Sequence, residues 1–203
     1  AGDHQLGRAF FRDEYRMNAA IADYSKPIVA FMQGFVMGGG VGVGGHASHR
    51  VVGDTTRIAM PESGIGLIPD VGGTWLLSRA PGRIGEYLAL TGARMGPGDA
   101  IHAGFADLYI PEAEWPDLIA ALEREGDVAV LRGHEAPAAP LADRDLSAFG
   151  APDVAAIRAA LDPARDADAL EALTRNSPLS MAAGLTMVRA AREDRRMQQS
   201  LSR

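Results

Sequence analysis

The sequence contains no cysteine and only one lysine, Lys26. Without cysteine the chain forms no disulfide framework, no thiolate zinc site and no cysteine nucleophile, so any chemistry must use oxygen and nitrogen groups. Positive charge is also in deficit, because 20 Lys and Arg face 26 Asp and Glu and give a net charge of -6. That balance argues against a nucleic-acid partner and against a basic helix on a membrane surface.

Glycine, in contrast, is abundant. It supplies 24 of the 203 residues, about 12% against a usual value of about 7%, and most of it lies between Gly34 and Gly104. Such a density indicates a backbone that turns tightly or lies close to a ligand. The length suits one large domain, or a domain with a small appendage, whose core folds without a metal or disulfide.

The N-terminal residues lack the charged segment and apolar core of a signal peptide, so a cytoplasmic setting is the default expectation. One uncharged run, residues 27–45, is nearly long enough to span a bilayer. Seven of its residues are glycine, and it opens and closes on turn-forming residues rather than on an aromatic and basic belt. We therefore expect no transmembrane helix and no membrane partner.

Apolar spacing predicts a helix followed by short strands in the first part of the chain. The helix is predicted over residues 8–24, with Phe10, Phe11, Met17 and Ile21 on one face. The elements predicted after it are strands at 28–32 and 35–37, a tightly packed helix at 41–47, and a strand pair at 49–52 and 57–60 around Gly53 and Asp54.

The rest of the chain is predicted to be mainly helical after an ordered loop at residues 61–73. Further predicted elements are helices at 74–79, 83–90, 97–103 and 112–125, a strand at 107–110, and C-terminal helices at 153–161, 164–173 and 179–199. Residues 134–147 are rich in Pro, Ala and charge, a composition typical of a linker. We therefore predict a core at 1–133, a linker at 134–147 and a C-terminal helical region at 148–203.

The first candidate site is the turn Gly38-Gly39-Gly40, where a predicted strand enters a predicted helix. Unpaired backbone N–H groups at such a helix start can bind an anion or a developing oxyanion. The alternatives are tight packing and a hairpin. Residues 40–45 also satisfy the dinucleotide pattern G-x-G-x-x-G, but Pro61 and the loop glycines interrupt the unit that this pattern requires.

The second candidate is a pair of carboxylates, Glu62 and Asp70, in the glycine-rich loop. Apolar neighbours such as Ile65 and Leu67 would raise the pKa of a carboxyl group towards neutrality, which suits a general base. The structural alternatives are that Glu62 caps a turn and that Asp70 caps the helix predicted from Thr74.

His46 and His49 form an H-x-x-H pair near Asp54. Helical zinc pairs are usually four residues apart and have further ligands, so we expect no metal site and interpret these side chains as surface or core histidines. The serines form no G-x-S-x-G elbow, which removes the usual argument for a serine hydrolase.

Several motifs together resemble the enoyl-CoA hydratase/isomerase (crotonase) superfamily, and within it the branch of 3-hydroxyisobutyryl-CoA hydrolases. The similarity runs in register from about Phe10 to Ile110. The residues that carry it are Phe10-Phe11-Arg12-Asp13-Glu14-Tyr15, Lys26-Pro27, Met37-Gly38-Gly39-Gly40-Val41-Gly42, Met60-Pro61-Glu62, Gly66, Pro69-Asp70-Val71-Gly72-Gly73 and Leu90-Thr91-Gly92. The resemblance implies an α/β fold, a crotonase-like spiral of ββα units with a C-terminal helical region that covers the site or a subunit interface.

The resemblance also implies roles for particular residues. The N–H of Gly39, beside Gly38, would stabilise the oxyanion of a thioester carbonyl, and Glu62 would be the principal catalytic carboxylate. Glu14 and Asp70 match positions that contact the acyl group or its hydroxyl in the hydrolases, and Asp70 would assist catalysis. Hydratases have a second glutamate at the position of Gly42 and usually a glycine at that of Asp70. Hydrolysis is therefore favoured, and an isomerase that uses one glutamate is the alternative.

The implied substrate is an acyl-CoA, with 3-hydroxyisobutyryl-CoA of valine catabolism as the expected example. CoA would enter as part of the substrate, with no further cofactor and no metal, and arginines or Lys26 would bind its phosphates. A homo-oligomer is compatible with this family. The superfamily also has a preceding segment that supplies a second oxyanion N–H, and we expect this chain to lack it and to stop early. A non-catalytic crotonase-like chain is therefore a further alternative.

Overall fold

The computed structural model describes residues 4–201, without the side chains of Gln198 and Ser200. The strands are β1 (Val29–Met32), β2 (Phe35–Met37), β3 (His49–Val52), β4 (Arg57–Ala59) and β5 (Leu108–Tyr109). The helices are α1 (Gln5–Ala22), α2 (Gly39–Gly44), α3 (Gly73–Arg79), α4 (Ile84–Thr91), α5 (Pro97–His102), α6 (Trp115–Glu125), α7 (Pro140–Asp143), α8 (Val154–Ala160), α9 (Ala167–Arg175), α10 (Pro178–Ala191) and α11 (Met197–Leu201).

The strands form two small parallel sheets, with the orders β1-β3-β5 and β2-β4. Strand β1 lies in the first sheet and β2 in the second. The chain then returns to the first sheet, where β3 pairs with β1, and crosses again to the second, where β4 pairs with β2. Val29 pairs with His49 in the first sheet, and Phe35 pairs with Arg57 in the second. Helix α2 connects the two units. The chain thus winds as a spiral of ββα units, as the resemblance implied.

The predicted pairing of the strands around Gly53 was wrong, although both strands exist. Instead of forming a hairpin, the chain crosses from one sheet to the other between them. The buried Thr56 hydroxyl fixes this crossing, because it donates to the carbonyl oxygen of Met32 at 2.5 Å and accepts from the N–H of Gly53 at 2.9 Å. In the resulting arrangement β3 lies beside β1 and β4 lies beside β2.

Helix α1 begins and ends close to the predicted bounds but turns an unexpected face to the protein. Asn18 is its fully buried residue, whereas Phe10 and Met17 of the predicted apolar face are 59% and 43% exposed. The reason is the packing partner. Helix α2 has glycine at position 42, where a Cβ atom would lie only 2.7 Å from Nδ2 of Asn18. Helix α1 therefore approaches the glycine helix through its polar side.

The main hydrophobic core lies between the helices and the inner faces of the sheets. Leu77 of α3, Leu90 of α4 and Val188 of α10 are fully buried in it. Leu141 belongs to the same core and lies in α7, inside the predicted linker 134–147. The division of the chain into domains stays a prediction.

Two further expectations concern long segments. The helix predicted over 179–199 is two helices, α10 and α11, which are separated by residues 192–196. The uncharged run 27–45 forms β1, β2 and α2. Within the part of the chain that the structure describes, no helix has the length and apolar character needed to cross a membrane.

Replacing Thr56 with valine should destabilise the crossing between the sheets. The change keeps the shape but leaves the Met32 carbonyl and the Gly53 N–H without the hydroxyl, which should lower the free energy of unfolding by about 1 to 3 kcal/mol. Urea unfolding measures this. Thr186→Val is the matched control, because its hydroxyl bonds to Ala182 on the exposed face of α10. Equal, small effects of the two changes would contradict the role given to Thr56.

Candidate active site

The start of helix α2 provides backbone donors. Gly38 follows β2 with φ 50° and ψ -119°, a conformation that side-chain-bearing residues rarely adopt. Its carbonyl oxygen accepts from the N–H groups of Val41 and Gly42 at 2.9 and 3.1 Å. Gly39 is the first residue of the helix, where an N–H has no acceptor within the helix. The predicted oxyanion donor thus lies at a helix start.

The carboxylate of Glu62 lies against this turn. Glu62 opens a 3-10 helix, Glu62–Ile65, and is only 5% exposed. A Cβ atom placed on Gly38 would be 3.5 Å from Oε1 of Glu62, while Oε2 of Glu62 is buried without a hydrogen-bond partner. Burial raises the pKa of Glu62 to about 7, the charge of Asp70 adds to the rise, and the residue's own backbone N–H opposes it. The group can therefore exchange a proton near neutral pH.

Glu14 reaches the same place from helix α1. A Cβ atom placed on Gly39 would lie 3.0 Å from Oε1 of Glu14, so this carboxylate faces the first residue of α2. Partial burial raises the pKa of Glu14, and the negative charge of Asp70 raises it further. Gly38 and Gly39 are therefore flanked by two carboxyl groups from distant parts of the sequence.

Asp70 completes the group and has a partner that the sequence had not assigned. The hydroxyl of Tyr15 donates to Oδ2 of Asp70 at 3.2 Å. Burial raises the pKa of Asp70, while this hydrogen bond opposes the rise. Burial and the two acidic neighbours, Asp70 and Glu14, in turn raise the pKa of the Tyr15 phenol, so it stays protonated and able to donate. Tyr15 belongs to the motif Phe10–Tyr15 that supports the family resemblance, but its position in the sequence does not indicate a contact with Asp70.

The structure therefore brings together all five predicted site residues: Glu14, Gly38, Gly39, Glu62 and Asp70. The capping alternatives are not realised. The residue before α3 is Gly72, with no side-chain cap, and the turn at Glu62 has none either. What the arrangement offers chemically is a set of carboxyl groups with raised pKa values beside backbone N–H donors.

The H-x-x-H pair does not converge on one point. Nε2 of His46 lies 2.7 Å from the carbonyl oxygen of Val71, whereas Nδ1 of His49 lies 3.0 Å from Oγ of Ser48. His46 is buried and is thus a core histidine. Among the described residues, no group of three or more His, Asp or Glu side chains could hold a metal ion.

The glycines of the dinucleotide pattern serve packing. Gly40 and Gly42 lie inside α2 and Gly45 directly follows it, so none of the three lies in a loop before the helix. A Cβ atom on Gly42 would collide with Asn18, and one on Gly45 would lie 3.0 Å from Cδ1 of Leu76. These glycines let α1 and α3 approach the helix.

A cleft of about 590 Å³ lies beside the turn that carries Glu62. Its wall includes Pro61 and Ile65 of that turn and Met37 at the end of β2. Arg94 and Arg175, both exposed, line it as well. The cleft therefore combines apolar surface with two arginines and the carboxylate of Asp168, and it adjoins the turn that carries Glu62.

Comparisons with known proteins identify relatives of this chain. The model of the family described as enoyl-CoA hydratase/isomerase matches residues 1–203. A mitochondrial 3-hydroxyisobutyryl-CoA hydrolase from Xenopus tropicalis is 49% identical over 118 residues, which are 58% of this chain and 30% of that protein. A probable 3-hydroxyisobutyryl-CoA hydrolase from Arabidopsis thaliana is 46% identical over 110 residues, 54% of this chain and 29% of that protein.

Two solved structures share the fold over almost the whole chain. An enoyl-CoA hydratase from Rhodobacter sphaeroides 2.4.1 has a TM-score of 0.93 and 56% identity, covering 98% of this chain and 60% of its own. A carnitinyl-CoA dehydratase from Mycobacterium thermoresistibile has a TM-score of 0.92 and 45% identity, with coverages of 98% and 61%. The matches therefore span less than two thirds of these relatives' own lengths. By its sequence and its crotonase-like fold, the chain belongs to the enoyl-CoA hydratase/isomerase family.

Proposed function

We propose that the chain contributes the catalytic centre of an acyl-CoA thioester hydrolase, with 3-hydroxyisobutyryl-CoA as the expected substrate. The observation that carries the proposal is the buried Glu62, whose pKa is raised to about 7 beside the Gly38 backbone. The relatives named as hydrolases of this thioester support it. A place in valine catabolism follows from that substrate.

The proposed reaction begins with the thioester carbonyl at the start of α2, where the N–H of Gly39 stabilises negative charge on its oxygen. In one route Glu62 takes a proton from a water, which attacks the carbonyl carbon. The tetrahedral intermediate then expels the CoA sulfur, and Glu62 returns the proton to it. In the other route the Glu62 carboxylate attacks the carbonyl carbon, the C–S bond breaks, and CoA leaves as a thiolate that takes a proton from solvent; water then hydrolyses the mixed anhydride and frees Glu62. Both routes use the same contacts.

Asp70 and Glu14 would recognise the acyl group. In the proposal, Asp70 accepts a hydrogen bond from the 3-hydroxyl of the substrate or from the attacking water, while Tyr15 holds its other side. Glu14, which faces Gly39, contacts the acyl group or its hydroxyl. Arg94 and Arg175 of the neighbouring cleft are the candidates for binding the CoA phosphates.

Water addition to an enoyl-CoA is the second candidate, because the two solved relatives are described as a hydratase and a dehydratase. The packing disfavours a two-glutamate mechanism. The hydratase pattern needs a glutamate at position 42, where even a Cβ atom would lie 2.7 Å from Nδ2 of Asn18 and 2.9 Å from Cβ of Val71. An isomerase that uses Glu62 alone stays an alternative, as does a chain without activity.

The setting of the protein also stays a prediction. A cytoplasmic location was expected from the sequence, while the Xenopus tropicalis relative is named as mitochondrial. The acyl-CoA substrate is the proposed partner, and assembly into a homo-oligomer is a further proposal.

Glu62→Gln should abolish thiol release from 3-hydroxyisobutyryl-CoA. The amide cannot take a proton or attack the carbonyl, so kcat should fall by about 100-fold to 10,000-fold, the usual contribution of a general base. Release is measured with a thiol reagent on this chain and, in parallel, on the full open reading frame. Glu123→Gln, on the exposed face of α6, is the matched control.

Crotonyl-CoA hydration and double-bond isomerisation are assayed beside thiol release. Double-bond migration without thiol release would replace the hydrolase proposal by the isomerase. Full thiol release by Glu62→Gln would remove Glu62 from the mechanism.

The same substitution should change stability in a pH-dependent way. Burial raises the folded-state pKa of Glu62 from 4.5 to about 7, so ionising it opposes folding increasingly as pH rises through this range. The glutamine of the variant cannot ionise. The free energy of unfolding of Glu62→Gln minus that of the wild type should therefore increase by roughly 3 kcal/mol between pH 4 and pH 8. Urea unfolding at the two pH values measures this, and a difference that does not vary with pH would show that Glu62 is not buried as an acid.

A further inference from the structure

The loop that carries Asp70 has an unusual backbone conformation at the next residue. Val71 has φ 47°, and among the described residues it is the one non-glycine with positive φ. A β-branched side chain makes this conformation unfavourable, so surrounding contacts must hold it. Because Val71 is bonded directly to Asp70, its conformation helps to set where the Asp70 carboxylate points.

The side chain of His46 holds this residue. Its Nε2 lies 2.7 Å from the carbonyl oxygen of Val71, and the ring is only 8% exposed. Because a carbonyl oxygen can only accept, the proton must be on Nε2. Burial lowers the pKa of His46, and the charge of Arg50 lowers it further, although the bond to Val71 opposes this. The lowered pKa favours the neutral form of the ring.

The ring also fills the space beside the following glycine. Gly72 has φ 77°, and a Cβ atom placed on it would lie 2.5 Å from Nε2 of His46. The imidazole thus lies directly over the turn formed by Val71 and Gly72. It comes from the segment just after α2, the helix whose first residue is the proposed oxyanion donor.

We propose that His46 is a positioning residue: by donating to the Val71 carbonyl, it fixes the left-handed turn that directs the Asp70 carboxylate into the site. Its proton-bearing nitrogen is bound to the backbone, so it acts through Asp70 and does not touch the substrate. Without the donor, Val71 can return to a favourable φ and Asp70 moves away from Tyr15. This inference rests on the proposed hydrolase function for its kinetic consequences.

The test compares His46→Met with His46→Gln. Methionine fills similar space without a donor, whereas the glutamine amide can place an N–H near the position of Nε2. For thiol release from 3-hydroxyisobutyryl-CoA, we expect His46→Met to lower kcat by about tenfold to 100-fold, the size of effect that a small misplacement produces. His46→Gln should restore most of that loss. His49→Gln is the matched control, because that ring contacts Ser48 and lies outside the site.

Two further kinetic readouts separate positioning from general damage. First, the preference for 3-hydroxyisobutyryl-CoA over isobutyryl-CoA, which lacks the hydroxyl, should fall in His46→Met towards the value for Asp70→Asn. Second, His46→Met should have little added effect in an Asp70→Asn background, since the two residues act through one contact. Unchanged kcat and preference in His46→Met, or fully additive losses, would overturn the proposal.

Crystal structures of the two His46 variants make the test independent of activity. We expect the hydrogen bond of 3.2 Å between Tyr15 and Asp70 to be kept in His46→Gln and lost in His46→Met. If the wild type releases no thiol, the proposed function fails, and these structures still decide whether His46 positions Asp70. An unmoved Asp70 in His46→Met would refute the inference on its own.

Discussion

The geometry of the site depends on how closely other segments approach the short helix α2. Glycine at positions 42, 44 and 45 leaves room for the side chains of Asn18, Met32 and Leu76, each of which would lie within 3.0 Å of an added Cβ atom. Because protein interiors are densely packed, these neighbouring side chains fill the space that side chains at the three glycine positions would otherwise occupy. This approach brings helix α1 and its carboxylate to the first residue of α2, so the glycines arrange the site as well as the core.

The same approach concentrates negative charge in a partly dry environment. Glu14, Glu62 and Asp70 all have raised pKa values, and desolvation by burial is the largest cause for each. The negative charge of Asp70 adds to the rise in the pKa of Glu14 and of Glu62. The Tyr15 hydroxyl offsets part of the penalty at Asp70. A fold that accepts this loss of stability keeps one buried carboxyl group ready to exchange a proton near pH 7.

Local sequence patterns predicted the elements of the spiral well, because strand and helix periodicities and glycine turns are local signals. The predicted pairing of β3 was wrong because β3 pairs with β1, a strand 20 residues away with Val29 opposite His49, and local patterns do not report such contacts. The prediction of the buried face of α1 was wrong because apolar spacing within α1 does not show that its packing partner is a glycine-rich helix. The carboxylates Glu62 and Asp70 were visible as acids among apolar neighbours, whereas the contact of Tyr15 with Asp70 joins residues 55 apart and has no local signal.

Packing and reaction type are linked at position 42. A glutamate there would require Asn18 to leave its buried place between α1 and α2, and Val71 to give up the turn that follows Asp70. Displacing Asn18 would move the face of α1 that carries Glu14 and Tyr15, and displacing Val71 would move the residue that follows Asp70. A second carboxylate on α2 is therefore incompatible with the present positions of Asp70 and its partner. In this chain the carboxyl groups of the site other than Glu62 come from α1 and from the loop before α3, and in the proposed hydrolase these are the groups that would contact the acyl group.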